Sequence, residues 1–379
     1  MGNLSGSAAI VGVAESDLGE VGDMNPLQIQ ARAAREALSE AGIEKREVNA
    51  VFSAGPFAYM QTMALCEYLG ITPQYTDSTN IGGSSFEAHI GHAVAGIKAG
   101  LFDVALITYG SNQRSRKQRP GKRVEINPFE APFGIPNPVG AYALAAQRHM
   151  DLYGTTSENL AEISVATRKW ANLNPKAFAQ GPLTIEDVLN SPMLATPLHV
   201  LDCCLITDGG GALVVTSAEK ARDCRKKPIW ILGTGETHTH LNITSMPELT
   251  ETGSVLSGKR AFEMAGLTPK DIDVVELYDS FTITVLLQLE DLGFCKKGEG
   301  GAFVRNQRTA PGGDFPLNTS GGGLSYCHPG LFGIFLLIEA VRQLRGECAE
   351  RQVPNAKTAL CNGIGGVLSS CCTVILGSD

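Results

Sequence analysis

Asn318-Thr-Ser-Gly-Gly-Gly-Leu-Ser-Tyr-Cys-His-Pro-Gly330 is the stretch on which the fold turns. It carries four glycines and a proline in thirteen residues, so the backbone must bend tightly and lie close to its neighbours. Tyr326, Cys327 and His328 follow one another directly inside that bend, and Leu331–Leu344 reads as a buried helix after it. A glycine-rich turn that opens a helix presents unpaired N–H groups. Gly322 and Gly323 are therefore expected to hold an oxyanion.

The chain also repeats itself. Residues Arg35–Val51 align without gaps on Lys259–Val275, each reading as an amphipathic helix, a glycine stop, a charged turn and a buried strand. A strand precedes each copy, Ala8–Val13 and Pro228–Gly233. A glycine- and serine-rich loop with a helix follows each, at Asn80 and at Asn318. Apolar strands then close the halves, Val104–Thr108 with Gly211–Val215 and Thr358–Cys361 with Cys372–Leu376. Strands alternating with helices predict an α/β fold with a mostly parallel sheet covered on both faces. The pattern breaks between Gly110 and about Thr196. This divides the chain into a first half of residues 1–110 and 197–226, an inserted loop or cap of 111–196, and a second half of 227–379. Within the insert, Ser115–Arg123 is basic. It is either a solvated loop or a phosphate-binding edge for a nucleotide-bearing ligand, with Arg116, Arg119 and Arg123 as its cations.

Composition narrows the function. Hydrophobic residues make up 43% and charged residues 18% of the 379, which describes a well-buried globular protein. The formal net charge of −8 argues against nucleic acid as a partner. No apolar run reaches the length of a membrane span. The N-terminal residues run directly into a strand and read as no signal peptide, and the ten cysteines, with vicinal pairs at Cys203-Cys204 and Cys371-Cys372, read as buried thiols of a cytoplasmic protein. No spacing of metal ligands occurs, so no metal site is expected.

Duplicated halves, an inserted loop domain and an Asn-Thr-Ser-Gly-Gly…His-Pro loop together resemble the thiolase superfamily, in its sterol-carrier-type or lipid-transfer-protein-like branch. The resemblance covers essentially the whole chain. It implies a five-layered αβαβα thiolase fold, a homodimer core or larger assembly, and an acyl-CoA substrate with no tightly bound cofactor. Two departures bear on chemistry. Gly83, followed by Ser84-Ser85, stands where thiolases carry their nucleophilic cysteine. Tyr278, in Glu276-Leu277-Tyr278-Asp279-Ser280-Phe281, stands where the lipid-transfer branch usually has histidine. His328 is retained, Tyr326 lies two residues before it, and Cys361 matches the family's proton-shuttling cysteine.

Without the cysteine an acyl-enzyme is not expected. Retro-aldol cleavage needs no covalent step; it needs a base, an acid and donors for the enolate oxygen. Tyr278 and Tyr326 are the expected acid and base, His328 and the glycine loop the expected donors, and Asp279 is expected to orient. Glycine for cysteine with tyrosine for histidine is similar to the thiolase-like aldolases of bacterial steroid side-chain degradation. That resemblance implies a bulky β-hydroxyacyl-CoA substrate and a small companion subunit with an OB fold and a zinc ribbon, the only place zinc is implied. Two alternatives stay open: an acyltransferase using Ser84, Ser85 or Cys361, and a non-catalytic CoA-binding subunit. His89 and His92 read as packing or interface residues, His238 and His240 as surface residues.

Overall fold

The computed structural model describes residues 4–55, 59–116 and 130–379. Strand β1 (Ala8–Glu15) leads into α1 (Pro26–Ala41), which starts at an Asn25 capping box behind Pro26 and stops at Gly42 in a left-handed conformation. Then come β2 (Ala50–Ser53), α2 (Gln61–Leu69), β3 (Tyr75–Asp77), α3 (Ser85–Lys98) and β4 (Val104–Ser111). Helices α4 (Val139–Tyr153), α5 (Ser157–Asn172) and α6 (Ile185–Leu189), with the short pair β5 (Met193–Ala195) and β6 (Leu198–His199), lie between β4 and β7 (Gly209–Ser217). A short α7 (Ala218–Ala221) leads to the second half: β8 (Ile229–His238), α8 (Ser254–Ala265), β9 (Val274–Leu277), α9 (Thr282–Asp291), α10 (Gly300–Phe303), α11 (Gly333–Arg345), β10 (Thr358–Gly365) and β11 (Ser370–Gly377).

Strand order makes the duplication visible: β3-β2-β4-β7-β1 continues as β8-β11-β10-β9. In each half the first strand pairs antiparallel with the last, β1 with β7 and β8 with β11. The next strands pair in parallel, β2 with β4 and β9 with β10. Most pairings are antiparallel, so the mostly parallel sheet expected from strand–helix alternation is a mixed one, because the first and last strands of each half run against their neighbours. The fifth strand of the second half is reduced to a single parallel bridge between Val275 and Leu317. The seam between halves is narrow, with Ala9 opposite Trp230 and Ile10 opposite Ile229.

Alternation along β1 sets the layers. Ala9 and Val11 face an outer core with Ala33, Ala37 and Leu38 of α1, while Ala8 and Ile10 face an inner core with Phe86 and Ile90 of α3. Helix α8 covers β8 and β11 on the opposite outer face. Helices α3 and α11 pack on each other and on strands of both halves, forming the middle layer. The repeat extends to atoms: a Cβ on Gly12 of β1 would overlap Ala37 O of α1, and one on Gly233 of β8 would overlap Ala261 O of α8. Both glycines let a helix backbone settle directly on its strand. No helix among the described residues is long and apolar enough to cross a membrane.

Candidate active site

Tyr278 extends from the end of β9 into the middle layer and is 5% exposed. Its hydroxyl lies 2.9 Å from His328 Nε2 and accepts an N–H from Phe332 at 3.3 Å. The hydroxyl also lies 3.5 Å from Gly330 O, and the tautomer of His328 sets whether the phenol donates to the imidazole or accepts from it. Burial lifts the Tyr278 pKa well above 10 and drives the His328 pKa down to about 4. At neutral pH the pair is therefore a neutral phenol hydrogen-bonded to a neutral imidazole.

The structure couples the two departures at Gly83 and Tyr278. A Cβ on Gly83 would overlap Tyr278 Cε2 and lie 2.5 Å from both Tyr278 Cζ and Ile364 O. The tyrosine ring thus occupies the space a side chain at position 83 would need. Ser84 and Ser85 offer no replacement. Ser84 Oγ is committed to Ile81 O (3.1 Å) and Ser370 Oγ (2.8 Å), and Ser85 Oγ donates to Gly82 O at 2.6 Å. Both serines are fully buried.

The glycine loop is used differently from expectation. Gly322–Tyr326 forms one turn of π-helix, closed by Tyr326 N–H on Gly321 O and Cys327 N–H on Gly322 O. The N–H groups of Gly323 and Leu324 both donate to the Asp279 carboxylate, at 2.6 and 3.1 Å. Gly322 N–H donates to Ser320 Oγ, and a Cβ on Gly322 would collide with Asp279 Oδ2. The expected oxyanion donors are therefore spent internally, the Gly322 N–H on Ser320 Oγ and the Gly323 N–H on Asp279, because the segments pack closely enough to satisfy those amides. Burial raises the Asp279 pKa to about 6, against the two N–H bonds that lower it. It remains mostly ionised at neutral pH and orients the loop.

Tyr326 is also placed away from the Tyr278–His328 pair. Its hydroxyl donates to Glu15 Oε1 of β1 at 2.7 Å. Glu15 is gripped by both terminal nitrogens of Arg342 in α11 and by Lys176 Nζ at 3.2 Å. Burial alone would raise the Glu15 pKa, but Arg342, then Lys176 and the Tyr326 hydroxyl, hold it below the usual carboxylate range. Burial and the Glu15 charge together push the Tyr326 phenol far up. Expected acid–base chemistry at Tyr326 thus gives way to an anchor tying the loop to β1. Tyr326→Phe should cost about 1.5–3 kcal/mol of stability, the range for a hydrogen bond to a charged group, and change kcat less than tenfold. Glu15→Ala should cost about 3–5 kcal/mol by stranding Arg342. Urea unfolding of both variants checks the ranking.

Cys361 is fully buried and turns its thiol onto Leu336 O of α11 at 3.5 Å; no hydrogen bond links it to Tyr278 or His328. Burial, then Glu276 and Glu87, raise its pKa well above 9, so it is a neutral thiol. Arg116 is exposed next to β4, while Arg119 and Arg123 lie outside the described residues. Three further residues shape the site. Tyr109 of β4 donates to Pro329 O at 2.5 Å and accepts Leu331 N–H, propping the His-Pro turn. Thr207 Oγ1 accepts the His328 N–H at 2.9 Å, and Gln113 donates to His328 O at 2.9 Å. Only the apolar neighbours of Tyr109 and the position of Thr207 beside Asp208-Gly-Gly-Gly were visible in sequence, and neither marks a site.

A duplicated α/β fold in which a tyrosine ring fills the space beside Gly83 and pairs with the His-Pro histidine defines a thiolase-like protein. Comparisons agree on the class. Residues 235–378 match the family model described as thiolase C-terminal domain-like. The chain is 36% identical to the 17-hydroxy-3-oxo-4-pregnene-20-carboxyl-CoA lyase of Mycobacterium tuberculosis, over 90% of this chain and 92% of that one. It is 33% identical to the acetyl-CoA acetyltransferase of Methanothermobacter thermautotrophicus, over 94% and 96%. The solved structure of the Ltp2-ChsH2(DUF35) aldolase superposes with a TM-score of 0.89 at 32% identity, covering 99% of this chain and 98% of that one. The chain belongs to the thiolase superfamily, in the lipid-transfer-protein-like branch that includes steroid side-chain-cleaving aldolases.

Proposed function

We propose that this chain is a carbon–carbon lyase that splits a bulky β-hydroxyacyl-CoA by retro-aldol cleavage, as part of steroid side-chain degradation. The observation that carries this is the Tyr278 ring, which fills the nucleophile's space and sets its hydroxyl on a neutral His328. A phenol with so high a pKa is no base by itself. It accepts the substrate's β-hydroxyl proton only as it passes its own to His328 Nε2. The Cβ–O bond becomes a carbonyl, the Cα–Cβ electron pair moves to Cα and the thioester as an enolate, and the ketone or aldehyde departs. The proton then returns through Tyr278 to Cα, giving the short acyl-CoA and restoring the pair. Protons balance and nothing is oxidised.

The same proposal assigns residues 111–196 as a cap inserted into the first half, with exposed Arg116, together with Arg119 and Arg123, as the edge that meets the CoA phosphates. It includes a homodimer core, a small OB-fold and zinc-ribbon companion subunit, and a cytoplasmic location. Support for the companion is the Ltp2-ChsH2(DUF35) complex; support for the location is that all ten cysteines are free thiols.

Likeness to an acetyltransferase keeps acyl transfer as the second reading, and one assay separates them. Purified protein, alone and with the companion, is given a ring-bearing β-hydroxyacyl-CoA, and products are followed by mass spectrometry. Equimolar carbonyl product and short acyl-CoA, with no mass added to the protein, are expected. A covalent acyl adduct would overturn the lyase.

A further inference from the structure

Glu87 lies one helical turn beyond Gly83 on α3 and is 1% exposed. Neither carboxyl oxygen has a hydrogen-bond partner. Two glycines of the second half make room for it. A Cβ on Gly333, the first residue of α11, would lie 2.7 Å from Glu87 Oε1, and one on Gly363 of β10 would lie 2.6 Å from Glu87 Cδ. Any side chain at either place would evict the carboxyl, so it fills a seat shaped by α11 and β10. Above Gly333 it shares that space with Gly83 O, another acceptor, which a Cβ there would also overlap. Two acceptor oxygens converging without a donor repel one another unless the carboxyl supplies a proton. The titratable groups that sense Glu87 are Cys361 in β10 and Cys372 in β11, both thiols with raised pKa values, and no cation is among the influences on it. The positive ends of α11 and of α3 itself, in whose first turn it lies, are the favourable fields for its charge, and burial outweighs them.

We propose that Glu87 is a positioning residue for the Tyr278–His328 pair: its carboxyl, seated in uncharged form between Gly333 and Gly363, sets the depth of α3 and thereby the gap at Gly83 that the Tyr278 ring fills. Tyr278 packs against Gly83, and this acid follows four residues later at the start of α3. Ionising the acid in a dry seat forces α3 and α11 apart to admit water, and the ring loses its slot. Burial supports the uncharged form, raising the Glu87 pKa from 4.5 to about 8.

The sign follows. A carboxyl whose pKa is higher folded than unfolded favours the fold fully below about 4.5, and that contribution is lost as pH rises towards and through about 8. The test compares wild type, Glu87→Gln and Glu87→Ala between pH 5 and 10, by thermal unfolding and by cleavage rate. Glutamine keeps the shape without ionising. Wild-type Tm should fall between about pH 5 and 8 and level off above, wild-type kcat should fall reversibly through about 8, and Glu87→Gln should hold both. Glu87→Ala should lose at least tenfold in kcat at every pH, with Glu87→Gln restoring it below pH 7. An unchanged alkaline limb in Glu87→Gln overturns the proposal, as does a flattened Tm limb with an unmoved rate limb. The rate arm rests on the lyase reading, whereas the Tm arm does not, so absence of any cleavage by wild type would count against that reading alone.

Discussion

Tyr278→Phe is expected to lower kcat/KM for a β-hydroxyacyl-CoA by about 10²–10⁴-fold, the range for losing a general acid–base group. Only the hydroxyl is removed, so the ring still fills the space beside Gly83 and the fold persists. The cost in stability should be about 1–3 kcal/mol, since His328 Nε2 and the Phe332 N–H each lose a partner. Because the hydroxyl acts in the transition state, the loss should fall on kcat more than on KM. The acid limb follows from His328. Its pKa is lower folded than unfolded, so it must be neutral for the relay, and activity should disappear as pH falls through about 4. Stability should already decline between about 6.5 and 4, where the unfolded chain binds the extra proton. Cleavage by Tyr278→Phe within threefold of wild type would remove the Tyr278 hydroxyl from the chemistry.

The second large effect is expected at Gly83. Reinstating cysteine there places Cβ inside the Tyr278 ring and against Ile364 O. Inserting atoms into a filled core costs about 1–3 kcal/mol and more where backbone blocks relief, as Ile364 O does here. Gly83→Cys should therefore unfold at lower urea and lose lyase activity without gaining an acyl-enzyme. Combining it with Tyr278→Ala removes the obstructing ring. The double variant should then be more stable than the two single effects predict, by more than about 1 kcal/mol in a double-mutant cycle. Strict additivity would show that the two positions do not share this space. The same experiment bears on acyl transfer, since a nucleophile and a full-size tyrosine are alternatives at one place.

Much of the architecture was legible because duplication writes the same periodicity twice. Arg35–Val51 and Lys259–Val275 became the ends of α1 and α8 with the strands β2 and β9, each with its glycine stop. The two departures, Gly83 and Tyr278, were also visible as residues. Their contact was not, because they lie nearly two hundred residues apart and only the middle layer brings them together. Tyr326 shows the limit most clearly. Beside His328 in sequence it resembles a second acid, yet its direction is decided by Glu15, from the other end of the chain. The glycine loop misleads for a similar reason: free N–H groups are a local inference, and Asp279 satisfies them from another strand. Cys361 falls on the strand face turned to α11, a parity that strand register sets and motif spacing does not.

The middle layer has a consequence for how the molecule comes apart. Each of its two helices belongs by sequence to one half but is buried by both, and Glu15 of the first strand is neutralised by Arg342 of the last helix. Neither half has a complete interior of its own, so either half expressed alone is expected not to fold. Packing thus binds the two repeats into one interior, and removing either would expose Tyr278 to water.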